Sequence, residues 1–457
     1  MSGLLSRLEK TSLEHRSDSP CTDEVSATSN DFWSVVRAVQ NRILRDHADL
    51  LNKARQDPTK GNHLRSVIQR ILAEEGFVVQ RMAREALAEA VSSEVLGFGP
   101  LDTLLSDHQV TDILVNGPKE VYVEKAGRLE LTPVAFRDEE HLRDIIGRIV
   151  GPLGRRVDQS SPFVDARLPD GSRVNVVVPP VVVGGPTLCI RKFSPRPWSL
   201  PELVAAGTLS TEMAEYLELC VRARLNLIIA GGTGSGKTTL LNTLANTLAD
   251  SERVITVEDS AEIHLTGKHV VALEARPASI EGKGEVSIRH LVRNSLRMRP
   301  DRLIIGEVRG AEAFELLNAL NTGHEGSIST LHANTALDAL NRLENMVLMA
   351  GEPLPHEVVR EQVYGAVDLV VLTTRLASGA RKVTSIARVV KRLTLEAKAD
   401  DRVRQVFYWS PGGGDSPEHF ERCELSGLPE GLALRASRAG LKSGDLAALG
   451  WRGGVPC

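Results

Sequence analysis

The sequence has few cysteines and few aromatic residues. Its 457 residues include five cysteines, which are scattered and never paired as CxxC, and aromatic residues make up 4% of the chain. An odd and scattered set of cysteines argues against a disulfide framework and against a structural zinc site. We therefore expect reduced thiols and no zinc.

The sequence also lacks long apolar runs and a strong excess of either charge. No stretch reaches the roughly 18 apolar residues of a membrane span, and the first residues lack the apolar core of a signal peptide. The net charge of −4 gives no electrostatic reason to expect tight binding of nucleic acid or anionic lipid by the whole chain. Together these absences predict a cytoplasmic protein.

Changes in composition divide the chain into predicted segments. A polar start without periodicity is followed by helical spacing of apolar residues, then by short strands, and then by apolar strands that alternate with helices. The last pattern predicts a covered, largely parallel sheet. We expect a disordered leader over 1–30, a helical bundle over 31–93, an α/β domain over 94–197, a linker over 198–208, a larger α/β domain over 209–393 and an unassigned tail over 394–457.

A glycine-rich loop follows the apolar run LNLIIA and precedes the helical pattern TLLNTLANTLA. Gly231, Gly236, Lys237 and Thr238 match G-x-x-x-x-G-K-[ST] in full, in the strand–loop–helix context that this motif requires. In such a motif we expect backbone N–H groups and the helix N-terminus to bind phosphates, Lys237 to reach the β- and γ-phosphates, and the Thr238 hydroxyl to ligate Mg²⁺. The alternative is a glycine-rich turn that binds nothing. The predicted ATP-binding residues are Gly231, Gly232, Thr233, Gly234, Ser235, Gly236, Lys237, Thr238 and Thr239.

Two acidic residues end predicted strands that neighbour this loop. Glu258 ends RVITVE, with Asp259 after it, and Glu307 follows RLIIG. Because the carboxyl ends of parallel strands meet at one edge of a sheet, both are expected beside the loop. One would order Mg²⁺ and its waters, with Glu307 as the candidate, and the other would orient or deprotonate the attacking water. The alternative is a pair of ordinary surface acids.

Two histidines and several arginines are further candidates. His324 and His332 flank a short predicted strand among glycines and small polar residues, which suits either a contact to the γ-phosphate or a structural role. Arg173 and Arg191 lie on predicted strands of the smaller α/β domain, and an arginine fork suits phosphate binding. For each arginine, an ordinary surface position remains the alternative.

Together these segments resemble the ATPases of type II and type IV secretion systems and of type IV pili. The resemblance is closest to the TadA/CpaF subfamily, which assembles tight-adherence (Flp) pili. It covers roughly residues 95–390 and is carried by PFVDARLPDGSRVNVVVPP, GGTGSGKTTLLN, ITVEDSAEI, RLIIGEVRG and TGHEGSISTLHANT. The resemblance implies a small PAS-like α/β domain followed by a RecA-like P-loop ATPase domain.

The resemblance also implies roles for individual residues. Glu258 matches the catalytic carboxylate of the family's Asp box, Glu307 matches its Walker B acid, and His324 and His332 match its His box. Arg173 and Arg191 match arginines that help to bind nucleotide. In this family the chain forms a ring hexamer at the inner face of the cell membrane and acts on an inner-membrane platform protein.

Three functions are compatible with these observations. The first is an ATP-hydrolysing motor for pilus assembly or protein secretion. The second is a scaffold that binds nucleotide without useful turnover, against which the complete set of acids and histidines argues. The third is a RecA-like DNA translocase, against which the acidic net charge and the absence of a basic, aromatic-rich segment argue.

Overall fold

The computed structural model describes most of the chain and divides it into two compact units. One unit spans Met1–Phe193 and the other Ser194–Cys457, and each is described by itself. The predicted leader lies outside the described residues except for its last two positions. The described residues are 29–56, 61–74, 81–153, 155–193, 197–276, 278, 283–391, 402–412, 418–423, 435–437 and 439–441.

The first unit begins with helices that share one apolar core. In the first helix Val36, Val39 and Ile43 recur at helical spacing and are completely buried. The last helix continues this core through Val91 and Val95. The bounds are α1 Ser29–Asp46, α2 Ala48–Gln56, α3 Gly61–Glu74 and α4 Arg81–Leu96.

A sheet and one long helix complete the first unit. Within the described residues the sheet has six strands in the order β3-β2-β1-β6-β5-β4, and neighbouring strands are antiparallel. Alternate strand residues face a core that they share with α6, as expected for a sheet with one buried face. The bounds are α5 Asp102–Ser106, β1 Val110–Asn116, β2 Val121–Lys125, β3 Arg128–Leu131, α6 Glu139–Val150, β4 Phe163–Arg167, β5 Arg173–Val177 and β6 Thr187–Arg191.

The second unit is built on a larger, mostly parallel sheet. In the described part of the unit its nine strands follow the order β15-β14-β13-β12-β7-β11-β10-β8-β9, and the six from β12 to β9 are parallel. One strand, β11, therefore separates the strand before the glycine-rich loop from the strand before Glu307. The bounds are β7 Leu227–Gly231, β8 Val254–Glu258, β9 Val270–Glu274, β10 Arg302–Ile305, β11 Ile328–Leu331, β12 Leu369–Arg375, β13 Arg381–Val389, β14 Val403–Ser410 and β15 His419–Arg422.

Helices cover both faces of this sheet. Leu227 and Ile229 of β7 face a core with α8 and α9, whereas Ile228 and Ala230 face a core with α10 to α13. This two-faced burial explains the continuous apolar runs of the parallel strands, and it confirms the predicted α/β class with a RecA-like ATPase domain. No helix among the described residues is long and apolar enough to cross a membrane. The bounds are α7 Leu200–Ala205, α8 Thr211–Arg222, α9 Lys237–Ala245, α10 Ile288–Ser295, α11 Glu312–Asn321, α12 Ala336–Leu348 and α13 His356–Ala366.

Two segments contain more regular structure than the sequence indicated. The segment predicted as a linker holds α7, which begins with a capping box between Ser199 and Glu202. The segment left unassigned after residue 393 contributes β14 and β15, which pair with β13 and with each other. Three strands, β13 to β15, therefore extend the parallel sheet beyond β12 through antiparallel pairings.

Candidate nucleotide site

The glycine-rich loop connects β7 to α9 and can be formed only by a sequence with glycines at defined positions. A Cβ atom at Gly231 would lie 2.3 Å from the carbonyl oxygen of Thr373, so no side chain fits there. Gly236, at φ +98°, is the N-cap of α9 in a left-handed conformation that side chains disfavour. The described residues supply no side-chain cap to this helix, so its N-terminus fits an anionic ligand in place of a cap.

Lys237 is folded back over this loop. Its side chain is almost fully buried, and Nζ donates hydrogen bonds to the carbonyl oxygens of Gly231 at 3.1 Å and Gly232 at 2.8 Å. Thr238 is the second residue of α9 and is partly exposed. The remaining loop residues range from exposed (Gly232, Thr233, Gly234) through partly exposed (Gly236, Thr239) to buried (Ser235).

Glu307 lies just beyond β10 and is partly exposed. Its Oε2 accepts a hydrogen bond from Arg309 at 2.8 Å, and its Oε1 lies 3.0 Å from Nε2 of His332. Burial raises the pKa of Glu307, but the hydrogen bond and charge of Arg309, with the charges of His332 and Lys237, outweigh burial and lower the pKa below its usual range. Glu307 is therefore a carboxylate at neutral pH within the electrostatic reach of Lys237.

Glu258 ends β8 in a more enclosed setting. Its side chain is 3% exposed, and its Oε1 accepts hydrogen bonds from the backbone N–H groups of Glu262 at 2.9 Å and Ile263 at 3.0 Å. A Cβ atom at Gly306 would lie 2.9 Å from the Glu258 Cγ, so this side chain lies against the backbone directly before Glu307. The structure thus brings the two predicted acids to one place.

His332 follows β11 and completes this group. The strand β11 lies between β10, which precedes Glu307, and β7, which precedes the glycine-rich loop, and Nε2 of His332 lies 3.0 Å from Glu307. Burial and the positive charge of Lys237 lower the pKa of His332, while Glu307 opposes the shift. The imidazole therefore stays neutral to lower pH than an ordinary histidine.

The structure does not bring His324 to this group. His324 precedes β11, at the amino end of the strand, whereas His332 follows its carboxyl end. The turn after His324 is bound to the other edge of the sheet, because the side-chain oxygen of Asn226 accepts the N–H of Gly326 at 2.8 Å. Within its own chain, His324 is thus separated from the glycine-rich loop by the length of a strand.

Arg173 and Arg191 lie in the first unit, on β5 and β6. They are directly opposite each other in the antiparallel register, so their side chains share one face of the sheet. Nε of Arg191 also lies 3.1 Å from a carboxylate oxygen of Asp112 on β1. Contact of either arginine with a nucleotide stays a prediction.

Two arginines at the site were missed in the sequence. Arg309 pairs with Glu307 and lies 3.7 Å from Asp259. Arg381, at the start of β13, donates from Nε to the carbonyl oxygen of Gly234 at 2.9 Å. Arg309 could have been found from its position two residues after Glu307, whereas Arg381 is 147 residues from its partner and carries no local signal.

The loop, the two acids and the sheet order define a P-loop protein with a RecA-like domain. Residues 94–426 match the family described as type II/IV secretion system protein, and the chain belongs to this family.

The chain is also similar to individual proteins. A putative conjugal transfer protein of Mycobacterium tuberculosis is 38% identical over 334 residues, which cover 72% of this chain and 92% of the relative. The type IV secretion system protein VirB11 of Brucella suis is 33% identical over 315 residues, 63% of this chain and 87% of that protein. The crystal structure of the Brucella suis VirB11 ATPase in complex with sulphate covers 63% of this chain and 95% of its own, at 30% identity and a TM-score of 0.35.

Proposed function

We propose that this protein is an ATPase, which converts ATP and water to ADP and phosphate, and that it works as a homo-hexameric motor. The observation that carries the proposal is the convergence of Lys237, Glu307 and His332 at one edge of the sheet. The charge of Lys237 lowers the pKa of both other groups, as expected for a shared site. Hexamer formation is proposed from the family alone.

The residues at this edge fit ATP and Mg²⁺. The loop's N–H groups and Lys237 would hold the phosphates. Thr238 would ligate Mg²⁺ directly and Glu307 would bind it through water. The ion, when bound, stabilises the charge on the phosphates. Among the described residues no cluster of three or more His, Cys, Asp or Glu could hold a metal. This suits an ion that keeps its waters and binds largely through the nucleotide.

The two acids would have different roles: one would order Mg²⁺ and the other would act on the attacking water. The lowered pKa of Glu307 keeps it ionised, as a Mg²⁺-ordering carboxylate must be. Glu258 would orient or deprotonate the water, although its Oε1 is held by backbone N–H groups. His332, neutral at physiological pH, would accept or donate a hydrogen bond beside the γ-phosphate. His324, Arg173 and Arg191 remain proposed nucleotide contacts. His324 would have to contact a nucleotide that is bound to a neighbouring copy of the chain.

The work of this motor is proposed to be pilus assembly or protein secretion across the cell envelope. The protein would act in the cytoplasm at the inner face of the membrane, on a platform protein. The resemblance to tight-adherence pilus ATPases favours pili, whereas the relatives are described as conjugal transfer and type IV secretion proteins. A deletion strain that carries Lys237→Ala should lose either surface pili or secreted proteins. If the strain retains both at the wild-type level, this role is wrong.

A steady-state ATPase assay tests the enzyme itself. The purified full chain should hydrolyse ATP only with Mg²⁺, and Lys237→Ala and Glu307→Gln should each reduce turnover by about 100-fold or more. Lys268→Ala is the control, because that lysine is 84% exposed on its side chain and pairs only at 3.8 Å with Asp250. Wild-type turnover in Lys237→Ala or Glu307→Gln would contradict the proposal, and nucleotide binding without turnover by the wild type would support the scaffold instead.

A further inference from the structure

The glycine-rich loop is held from the side of β12 by a pair of hydroxyl groups. The Ser235 Oγ donates to the carbonyl oxygen of Gly232 at 2.9 Å and lies 2.8 Å from the Thr373 Oγ1. The Thr373 Oγ1 in turn donates to the carbonyl oxygen of Ala230 at 3.2 Å. Both hydroxyl-bearing residues are about 97–98% buried, so water does not compete for these hydrogen bonds.

A third contact comes from the hairpin of β12 and β13. Nε of Arg381 donates to the carbonyl oxygen of Gly234 at 2.9 Å, and the Arg381 Cδ would lie 3.4 Å from a Cβ atom at Gly236. The carbonyl oxygens of Gly232 and Gly234 are therefore both hydrogen-bonded within the chain. We call Ser235, Thr373 and Arg381 the P-loop clamp.

The strand that carries Arg381 is itself fixed in place. The hairpin closes with two backbone hydrogen bonds between Leu376 and its neighbours Ala380 at 2.8 Å and Gly379 at 2.9 Å. After Arg381, the Val383 N–H donates to the Thr208 carbonyl oxygen at 2.8 Å. The clamp thus joins the loop to a paired strand rather than to a side chain that moves independently.

We propose that the P-loop clamp holds the loop in its phosphate-receiving shape before a nucleoside diphosphate or triphosphate binds, with Arg381 as a positioning residue. Hydrogen-bonded carbonyl oxygens fix the orientation of the peptide units whose N–H groups must meet the phosphates. A loop that is already ordered loses less conformational entropy when the ligand binds, so affinity rises without a new contact to the ligand. This inference rests on the proposed role of the loop as a nucleotide site.

Equilibrium binding of a fluorescent ADP analogue with Mg²⁺ to the full chain tests the clamp. Arg381→Ala should raise the Kd about 10-fold, because it removes one charge-assisted hydrogen bond from the loop. Arg381→Lys should recover little of this loss, because the ammonium group lacks the planar, fixed geometry of the guanidinium. Arg404→Ala, an exposed arginine on β14, is the matched control and should leave the Kd unchanged.

Hydrogen exchange of the nucleotide-free protein gives a second readout. The backbone amides of Gly234 to Lys237 should exchange faster in Arg381→Ala than in the wild type, while the melting temperature stays the same. A wild-type Kd in Arg381→Ala, unchanged exchange at these amides, or full recovery of the Kd by Arg381→Lys would overturn the proposal. Full recovery would mean that positive charge alone explains the effect.

These outcomes are distinct from failure of the proposed function. A wild-type protein that binds the ADP analogue but never hydrolyses ATP would refute the motor and leave the test of the clamp intact. If the wild type does not bind the analogue, the exchange comparison alone decides for or against the clamp. Should Arg381→Ala not fold, Thr373→Val removes the hydroxyl pair instead and should produce the same two changes.

Discussion

The two edges of the parallel sheet carry the same kinds of residue in opposite settings. At the carboxyl edge, Glu307 and His332 are partly exposed, and their pKa values respond to the charge of Lys237. At the amino edge, Arg302 is 1% exposed and binds Glu252 through two hydrogen bonds at 2.6 and 3.1 Å. Charged residues alone therefore do not mark a site, and what separates Glu307 and His332 from Arg302 is the exposure of their side chains.

The amino edge uses its polar groups to join segments that are distant in the chain. Besides Glu252, Arg302 donates to the carbonyl oxygens of Val221 at 3.0 Å and Gly326 at 3.2 Å. The buried Asp368 accepts the N–H of Asn226 at 2.9 Å. Because these partners lie on α8, on β10 and on the loops that precede β7, β8, β11 and β12, the network joins the amino ends of several strands of the sheet.

The largest expected contrast between the edges is in stability. Arg302→Met should lower the free energy of unfolding by about 3–5 kcal/mol, because it removes the hydrogen bonds of a buried guanidinium to Glu252 and to the carbonyl oxygens of Val221 and Gly326, although Arg224 still pairs with Glu252 at 2.8 Å. Arg309→Met removes an arginine that is 59% exposed and pairs with Glu307 at 2.8 Å, and it should lower stability by less than about 1 kcal/mol. Urea unfolding followed by circular dichroism measures both. Equal losses of stability in Arg302→Met and Arg309→Met would contradict the difference in burial between the two edges.

Glycine substitutions give a smaller contrast. Gly326, at φ +85°, lies at the amino edge, and a Cβ atom there would come within 1.8 Å of a guanidinium nitrogen of the buried Arg302. Gly326→Ala should lower the free energy of unfolding by about 1–3 kcal/mol. Gly232→Ala in the loop is the control, since no heavy atom lies within 4 Å of its added Cβ. The same unfolding assay should show little change for Gly232→Ala, and a larger loss there than for Gly326→Ala would contradict the structure.

The smallest expected effect is a change in the pKa of His332. Its value should lie below that of an ordinary histidine, rise in Lys237→Ala, which removes a nearby positive charge, and fall further in Glu307→Gln, which removes the opposing carboxylate. NMR titration of the imidazole measures these shifts, with the exposed His290 as a reference in the same spectra. Shifts of the opposite sign would show that the three groups are not coupled as described.

The same titration has a consequence for stability. Because the pKa of His332 is lower in the folded chain than in the unfolded chain, the unfolded chain binds the proton more readily. The contribution of His332 to stability is therefore complete above the histidine pKa of the unfolded chain. It is lost as the pH falls from that pKa to the lower pKa of His332 in the folded chain.

The sequence predicted the part of the site that depends on local geometry. The loop from Gly231 to Thr239 has a motif that fixes its own conformation, and Glu258 and Glu307 follow directly from the rule that parallel strands end at one edge. The structure places these residues together. Their catalytic and binding roles stay predictions until they are measured.

His324 is the predicted site residue that lies far from the loop. The sequence left either a γ-phosphate contact or a structural role open for both histidines, which flank a strand. Four extended residues of β11 span about 13 Å, so the two ends of that strand cannot both meet the same phosphate. The strand between the histidines was visible in the sequence, and its length was the signal that could have separated them.

Contacts between distant segments could not be predicted. The strands β14 and β15 lie in the part of the chain that the sequence left unassigned, and their pairing depends on the free side of β13, which only the folded chain provides. Arg381 reaches Gly234 only because β12 lies beside β7. Neither contact has a periodicity or motif that a single sequence reveals.

The central claim, that the carboxyl edge is a hydrolysis site, is tested most directly by single-turnover kinetics. Enzyme in excess over radiolabelled ATP, with Mg²⁺, measures the chemical step separately from product release. We expect Glu307→Gln to bind ATP and to slow this step by about 100-fold or more, whereas the control Lys268→Ala should match the wild type. A wild-type rate of the chemical step in Glu307→Gln would contradict the account.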